Sequence, residues 1–289
     1  MIICNPTATL AAKYGEEKAL EMLKAAGFDA ADLSLTCMEA ADCHWHGADY
    51  KEKASALRAF SERIGLPILQ AHAPFAFGKA DLEETVIPIV SRSIEIAALA
   101  GAKKIVVHPR SILPYFEHIE ESFEVNMNYY GSLASVAKEY GIQICLENMW
   151  ATNKLRGFID HCVCSRPEEF NRYLDTLQGK YGDCFTACLD LGHMVLVGQD
   201  PVEMIRTMGD QITALHIHDN DYKKDLHTLP GHARMDMVSI FKALHEIGYQ
   251  GIFTLEADNF FCRQAPELWP LSLKYMAEVS RYYSKIIEQ

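Results

Sequence analysis

Short β-rich runs alternate with longer helical stretches along the whole chain, and this alternation constrains the fold more than any other feature. Runs rich in Val, Ile, Leu, Phe and Thr, or holding a short apolar core, occupy Ile2–Cys4, Asp32–Cys37, Pro67–His72 and Lys104–His108. Four more follow at Gln143–Glu147, Phe185–Asp190, Ala214–His218 and Gly251–Glu256. Helical stretches fill the gaps at Glu16–Ala26, Tyr50–Gly65, Leu82–Gly101, Glu117–Gly141, Arg166–Gly182, Pro201–Met208 and Met237–Gly248, and a last helix covers Ala265–Ile287. Gly27, Gly65, Gly101, Gly141 and Gly248 stand where helices should stop in a left-handed residue. Asp200 before Pro201 reads as a helix cap followed by proline at the first helical position. The repeated phrase of helix, glycine, two residues and strand is the αβ connection of a parallel sheet. Eight such units in 289 residues are the count of a (β/α)8 TIM barrel, a fold of about 250 residues in one domain. A doubly wound open sheet is the alternative, but it needs a Gly-rich turn after its first strand, and Asn5-Pro6-Thr7-Ala8-Thr9 has none. With no linker or low-complexity segment, residues 1–289 read as a single domain.

In such a barrel the chemistry is built where the strands end. The third strand ends in Gln70-Ala71-His72, the fourth in Val107-His108-Pro109-Arg110, and the fifth in Cys145-Leu146-Glu147-Asn148. The sixth ends in Asp190-Leu191-Gly192-His193, the seventh in His216-Ile217-His218-Asp219, and the eighth in Glu256-Ala257-Asp258. Any one of these residues alone is explained as a structural hydrogen bonder or ion-pair partner. Six consecutive strands with this ending are not explained by packing, because a buried carboxylate is costly unless paired or metal-bound. A ring of carboxylates and imidazoles is the donor set of a divalent metal with mixed oxygen and nitrogen ligands. Cys145 and Cys188 each lie two positions before a carboxylate, on the same side of the strand but deeper, and read as packing residues.

Charge and composition narrow the partners. The chain has 39 acidic against 27 basic side chains, a net charge of −12, and no basic stripe that would track a phosphate backbone, which disfavours nucleic acid. Lys103–Lys104 and Lys223–Lys224 read as solvated pairs. No run approaches the ~18 apolar residues of a membrane helix, and the first residues lack the basic region of a secretory signal. Nine cysteines with no C-x-x-C pair fit reduced thiols. These features predict a soluble cytoplasmic protein with no membrane partner, and they leave a homo-oligomer open. No Gly-rich phosphate cradle is present, so Arg110 and Arg234 are the cations available to hold a phosphate or carboxylate.

The ordered set LENMW, CLDLGHM, LHIHDND, DLHTLPGH and TLEAD resembles the sugar phosphate isomerase/epimerase superfamily with the xylose-isomerase-like barrel, from His72 to Glu256. The resemblance implies Glu147, Asp190, His216 and Glu256 as metal ligands, with the two glutamates doubling as the acid–base pair. It places His193 at a position that binds substrate or a second metal. The same superfamily contains abasic-site endonucleases of the endonuclease IV type, which hold three zinc ions. Similarity to them implies further metal positions at His72, His108, Asp225 and His227, together with His193. One departure stands out: the usual Pro-Gly-x-Gly reads Pro230-Gly231-His232-Ala233 here, which makes His232 an additional polar candidate beside the site.

The first expectation is therefore a divalent-metal-dependent isomerase or epimerase that acts on a small sugar or sugar phosphate through an enediolate. Such a reaction needs a base, an acid to return the proton, and an electrophile for the developing charge. Mn²⁺, Mg²⁺ or Co²⁺ suits the oxygen-rich four-residue set, and Zn²⁺ suits the set enlarged by histidines. Trp150, Phe75 and Trp45 are candidates for an apolar wall against a sugar face, although isolated aromatics more often serve packing. The alternative is a zinc-dependent abasic-site DNA endonuclease, hydrolysing a phosphodiester with clustered ions. A barrel that binds a sugar without turning it over is a third reading, and the intact acid–base pair argues against it.

Overall fold

A computed structural model of the chain describes residues 1–75, 81–153 and 157–289. Its strands are β1 (Ile3–Pro6), β2 (Ala30–Ser34), β3 (Ile68–His72), β4 (Lys104–Val107), β5 (Gln143–Glu147), β6 (Trp150–Asn153), β7 (Phe158–His161), β8 (Phe185–Asp190), β9 (Ile212–His216) and β10 (Phe253–Thr254). Eight of them form one parallel sheet in the order β10-β1-β2-β3-β4-β5-β8-β9. Ile217 N donates to Thr254 O and Glu256 N donates to Ile217 O, each at 2.9 Å, and these bonds join β9 to β10 and close the ring. The sheet strands are buried along nearly their whole length, as an inner ring covered by helices requires. The expected (β/α)8 barrel is the fold of this chain.

The helices are α1 (Ala8–Tyr14), α2 (Glu16–Ala26), α3 (Tyr50–Arg63), α4 (Ile87–Ala100), α5 (Ile119–Tyr140), α6 (Pro167–Tyr181), α7 (Leu191–Leu196), α8 (Pro201–Met208), α9 (Met237–Glu246) and α10 (Trp269–Glu288). On α2 the buried residues Ala19, Leu20, Leu23 and Ala26 follow the helical repeat and form the face turned to the barrel. Asp200 caps α8 as its sequence suggests, accepting from Val202 N at 2.8 Å and Glu203 N at 3.1 Å. The glycines expected to stop helices do so in left-handed geometry, with φ of 101° at Gly27 and 110° at Gly101.

Several boundaries differ from the sequence reading, each for a physical reason. Strand β2 begins at Ala30 and stops at Ser34, before the expected Cys37, because register with β1 and β3 recruits two alanines of weak strand preference. Leu82–Val86 winds as a wide π turn before α4, whose first turn contains Pro88, a residue without an amide hydrogen to continue the helical ladder. Strand β9 starts at Ile212 rather than Ala214, and β10 shrinks to two residues. The β6–β7 hairpin, α1 and α7 are elements the sequence reading does not contain.

The innermost packing layer consists of Val106, Cys145, Cys188 and Ala214, so the two cysteines pack inside the barrel as expected. Lys104 corrects the reading of a solvated pair: it is half-buried, and its Nζ donates to Thr213 O at 2.6 Å. No helix among the described residues is long and apolar enough to cross a membrane.

Candidate active site and metal centre

Six of the eight barrel strands each deliver a polar side chain to the same face of the barrel. His72, Glu147, Asp190 and His216 are the last residues of β3, β5, β8 and β9, His108 follows β4 by one residue, and Glu256 follows β10 by two. Glu147 lies at the centre. Its Oε1 is 3.0 Å from His216 Nδ1, and its Oε2 is 2.8 Å from His108 Nε2. Glu256 reaches the same imidazole from another wall, with Oε2 at 3.4 Å from His216 Nδ1. His72 and His108 meet through their Nε2 atoms at 3.1 Å.

Asp190 ties this group to a second one. Its Oδ1 caps α7 by accepting from His193 N at 2.7 Å, and the same oxygen lies 3.1 Å from His218 Nε2. Asp225 stands beyond it, with Oδ2 at 3.1 Å from His227 Nε2 and 3.4 Å from His193 Nε2. Trp150 Nε1, on β6, donates to that oxygen at 3.2 Å. His193 and His227 both turn Nδ1 to a backbone carbonyl, of Asn148 at 2.9 Å and of Glu256 at 3.1 Å, which fixes Nε2 toward Asp225. His227 holds this pose at a left-handed φ of 40°, uncommon for a residue with a side chain.

Sets of donors result, each with one atom per residue within 4.8 Å of the others: Glu147, Asp190, His216 and Glu256; His72 and His108 with the same Glu147; and, separately, His193, His218, Asp225 and His227. A further set joins His72, His216 and Glu256. Burial opposes charge on Glu147, but His216 and His108 hold its carboxyl well below the usual carboxylate range. Burial, together with His108 and His216, keeps His72 neutral. Burial likewise opposes charge on His193 and His227, yet Asp190 and Asp225, joined by Glu147 at His193 and by Glu256 at His227, push both up to about 10. The centre thus draws positive charge to itself, and a divalent cation is an alternative source of that charge to the protons on these rings. Asp225 Oδ1, buried with no hydrogen-bond partner among the described residues, is a further donor such an ion would use.

The structure thus brings together His72, His108, Glu147, Asp190, His193, His216, Asp225, His227 and Glu256. Arg110 is buried just beyond β4, its backbone clamped by Asn126 at 2.7 and 2.9 Å, and belongs to none of the donor sets. His232 lies apart: it is exposed, and its ring packs edge-on to Phe260 at 5.2 Å and near Tyr275 on α10. Of the aromatic candidates, Phe75 stacks on His108 at 4.0 Å and Trp150 stands edge-on to His193. Trp45 is 1% exposed and packs in the main hydrophobic core, away from any sugar-facing wall. His218, noted at the end of the seventh strand, is the site residue to which sequence reasoning gives no role. Its position two residues after His216 is the available signal, because alternate residues of a strand share a face.

The chain is similar to proteins of this same architecture. The uncharacterised protein MJ1311 of Methanocaldococcus jannaschii is 28% identical over 197 residues, which are 65% of this chain and 64% of that protein. SgbU of Escherichia coli strain K12, a candidate L-ribulose-5-phosphate 3-epimerase, is 25% identical over 252 residues, 82% of each chain. Among solved structures, a D-tagatose 3-epimerase-like protein superposes with a TM-score of 0.76 at 22% identity, covering 100% of this chain and 98% of that one. The IolI protein with a bound zinc atom superposes with a TM-score of 0.71 at 18% identity, again over 100% and 98%. At such identities the solved structures show a shared fold. The family model of xylose isomerase-like TIM barrels matches residues 20–279, nearly the whole chain, and the chain belongs to that family.

Proposed function

We propose that this chain is a divalent-metal-dependent isomerase or epimerase of a sugar or sugar phosphate, moving a proton beside a carbonyl through an enediolate. The observation that carries the reading is the convergence of Glu147 and Glu256 on His216 Nδ1, at 3.0 and 3.4 Å, from different walls of the barrel. Proton transfer at a carbon next to a carbonyl needs a base on one side and an acid on the other. Glu147 is held by its imidazole neighbours in the ionised form that a base requires. Glu256 is the more open of the two, with 19% of its side chain exposed, and faces arriving substrate. Phe75 over His108 and Trp150 beside His193 offer aromatic faces on which a sugar's C–H face packs.

The donors fit a divalent ion held by Glu147, Asp190, His216 and Glu256, with the imidazole-rich sets around Asp225 and His72 open to further ions. Bound there, such an ion supplies electrophilic stabilisation of the negative charge that develops on the substrate oxygens. The zinc bound by IolI and the names of the tagatose and ribulose-phosphate epimerase relatives support the reading. A second reading, phosphodiester hydrolysis at abasic DNA, is favoured by the completeness of the three donor sets. One assay separates the two: protein loaded with Mn²⁺, Co²⁺ or Zn²⁺ is offered a panel of ketoses and ketose phosphates and, separately, an abasic-site duplex. Conversion of a sugar to its epimer or aldose isomer, abolished by EDTA, is expected. Nicking of the duplex with no sugar turned over would overturn the proposal.

A further inference from the structure

Strand β2 supplies none of the donors above, yet the loop that follows it lies at the same end of the barrel and carries two thiols. Cys37 and Cys43, six residues apart, hold their Sγ atoms 2.7 Å from one another. The segment winds through two 3-10 turns, Thr36–Glu39 and His44–His46. Ala40 N donates to Cys37 O at 3.0 Å and Cys43 N donates to Ala40 O at 3.1 Å, which folds the chain back on itself between the two sulfurs. Met38 and Trp45 anchor the segment in the core, while Cys37 is exposed and Cys43 half-buried. Six of the other cysteines are buried, and the thiol of Cys262 is turned to Asn259 Oδ1. Cys37 and Cys43 are the pair that a solute can reach.

A disulfide bond is about 2.05 Å long, so the two sulfurs need approach by only about 0.7 Å to form one. Exposed disulfides of this kind are the labile, regulatory ones. Burial, then Cys43 and Glu16, push the Cys37 thiol up, so Cys37 keeps its proton and Cys43 is the sulfur that attacks first. With a small-molecule disulfide as oxidant, the Cys43 thiolate bonds to one sulfur and expels the other as a thiolate. That thiolate takes the proton of Cys37, whose sulfur then attacks Cys43 Sγ and displaces the second half of the oxidant, which takes up the proton first lost by Cys43. Two cysteine thiols are oxidised and one oxidant disulfide is reduced to two thiols. The loop reaches the site through Glu39, which lies between the two cysteines. Its Oε1 accepts from Phe75 N at 2.7 Å, and the Phe75 ring stacks on His108 at 4.0 Å and stands 5.9 Å from His72. A bond between Cys37 and Cys43 closes a short ring around Glu39 and removes freedom from the residue that holds Phe75.

We propose that Cys37 and Cys43 form a reversible disulfide by exchange with a small-molecule disulfide, and that its closure tightens the hold of Glu39 on Phe75 at the mouth of the site. The inference does not depend on which reaction the site performs. The purified protein is equilibrated in glutathione buffers from fully reduced to fully oxidised, alkylated, digested with trypsin and weighed by mass spectrometry. Amide exchange at Phe75 is followed by NMR in the two end states. Under oxidising conditions the peptide between Lys24 and Lys51, which holds both cysteines, is expected to be unalkylated and two hydrogens lighter, with full reversal by dithiothreitol. Exchange at Phe75 is expected to slow several-fold in the oxidised protein. In Glu39→Ala the bond still forms, but Phe75 exchanges equally in both states. Alkylation of both thiols at every glutathione ratio overturns the proposal, as does a bond that appears only with loss of the folded circular-dichroism spectrum. A bond that leaves Phe75 exchange unchanged, or that still slows it in Glu39→Ala, also overturns it, because the hold would then not run through Glu39.

Discussion

Glu147 keeps a negative charge where burial opposes it, and it does so because His108 and His216 stand within 2.8 and 3.0 Å of its two oxygens. Glu256 has a different setting, open to solvent on one side, so the two carboxylates of the pair are not interchangeable. Glu256→Gln retains a coordinating oxygen and removes the base. Metal content by mass spectrometry should stay near the wild-type level while kcat falls about 10²–10⁴-fold, whereas Glu256→Ala should lose metal as well. A glutamine variant that turns over substrate like the wild type would remove Glu256 from the reaction. Residues of this kind were legible in the sequence because position and chemistry coincide: each follows an apolar run and each is His, Asp or Glu. His218 was less legible, since it lies beyond the end of β9 and its partners come from distant segments. Trp45 takes the packing role that is commoner for an isolated aromatic: between His44 and His46 no periodicity shows its side, and a 3-10 turn there sends it into the core.

Helix α7 shows how one short element serves the site. Asp190 is its cap and His193 its third residue, which is why the two stand three positions apart in the chain. Gly192 lies between them with its backbone against His218: a Cβ built there would come within 1.9 Å of His218 Cε1. The His218 ring cannot withdraw, because it stacks on His227 at 4.0 Å with an interplanar angle of 13°. Gly192→Ala should therefore cost about 1–3 kcal/mol through overpacking and lower the metal bound by the Asp225 set. Urea unfolding and metal titration check both, and a variant with wild-type stability and metal content would show that the close approach is not required. The Asp-x-x-His spacing stands in the sequence, but neither the helix it caps nor the need for glycine could be read from it, since His218 arrives from another strand. The β6–β7 hairpin escaped sequence reading for a related reason. Its strands, Trp150–Asn153 and Phe158–His161, are half-exposed and mix polar with apolar residues, so no period-2 pattern marks them.

At the scale of the molecule, the count of strand–helix units was sufficient to identify the barrel, because eight parallel units in one domain leave few other closed arrangements. What the count could not supply is closure. The join between β9 and β10 is a bridge at Ile217 and Leu255, made by backbone beyond both strands, and it carries Glu256 to within reach of His216. The grouping of strand-end residues into distinct donor sets likewise depends on loops whose paths no local pattern predicts: Asp225 and His227 come from the segment between β9 and α9. The proposed proton transfer on a sugar at this face is tested most directly by solvent isotope incorporation. The metal-loaded protein is incubated in D₂O with the ketose it converts, and the product is analysed by NMR. Proton transfer through Glu147 and Glu256 predicts deuterium at the carbon beside the carbonyl, and Glu147→Gln should suppress it, because an amide is no base at neutral pH. Turnover with no deuterium at that carbon would contradict the account.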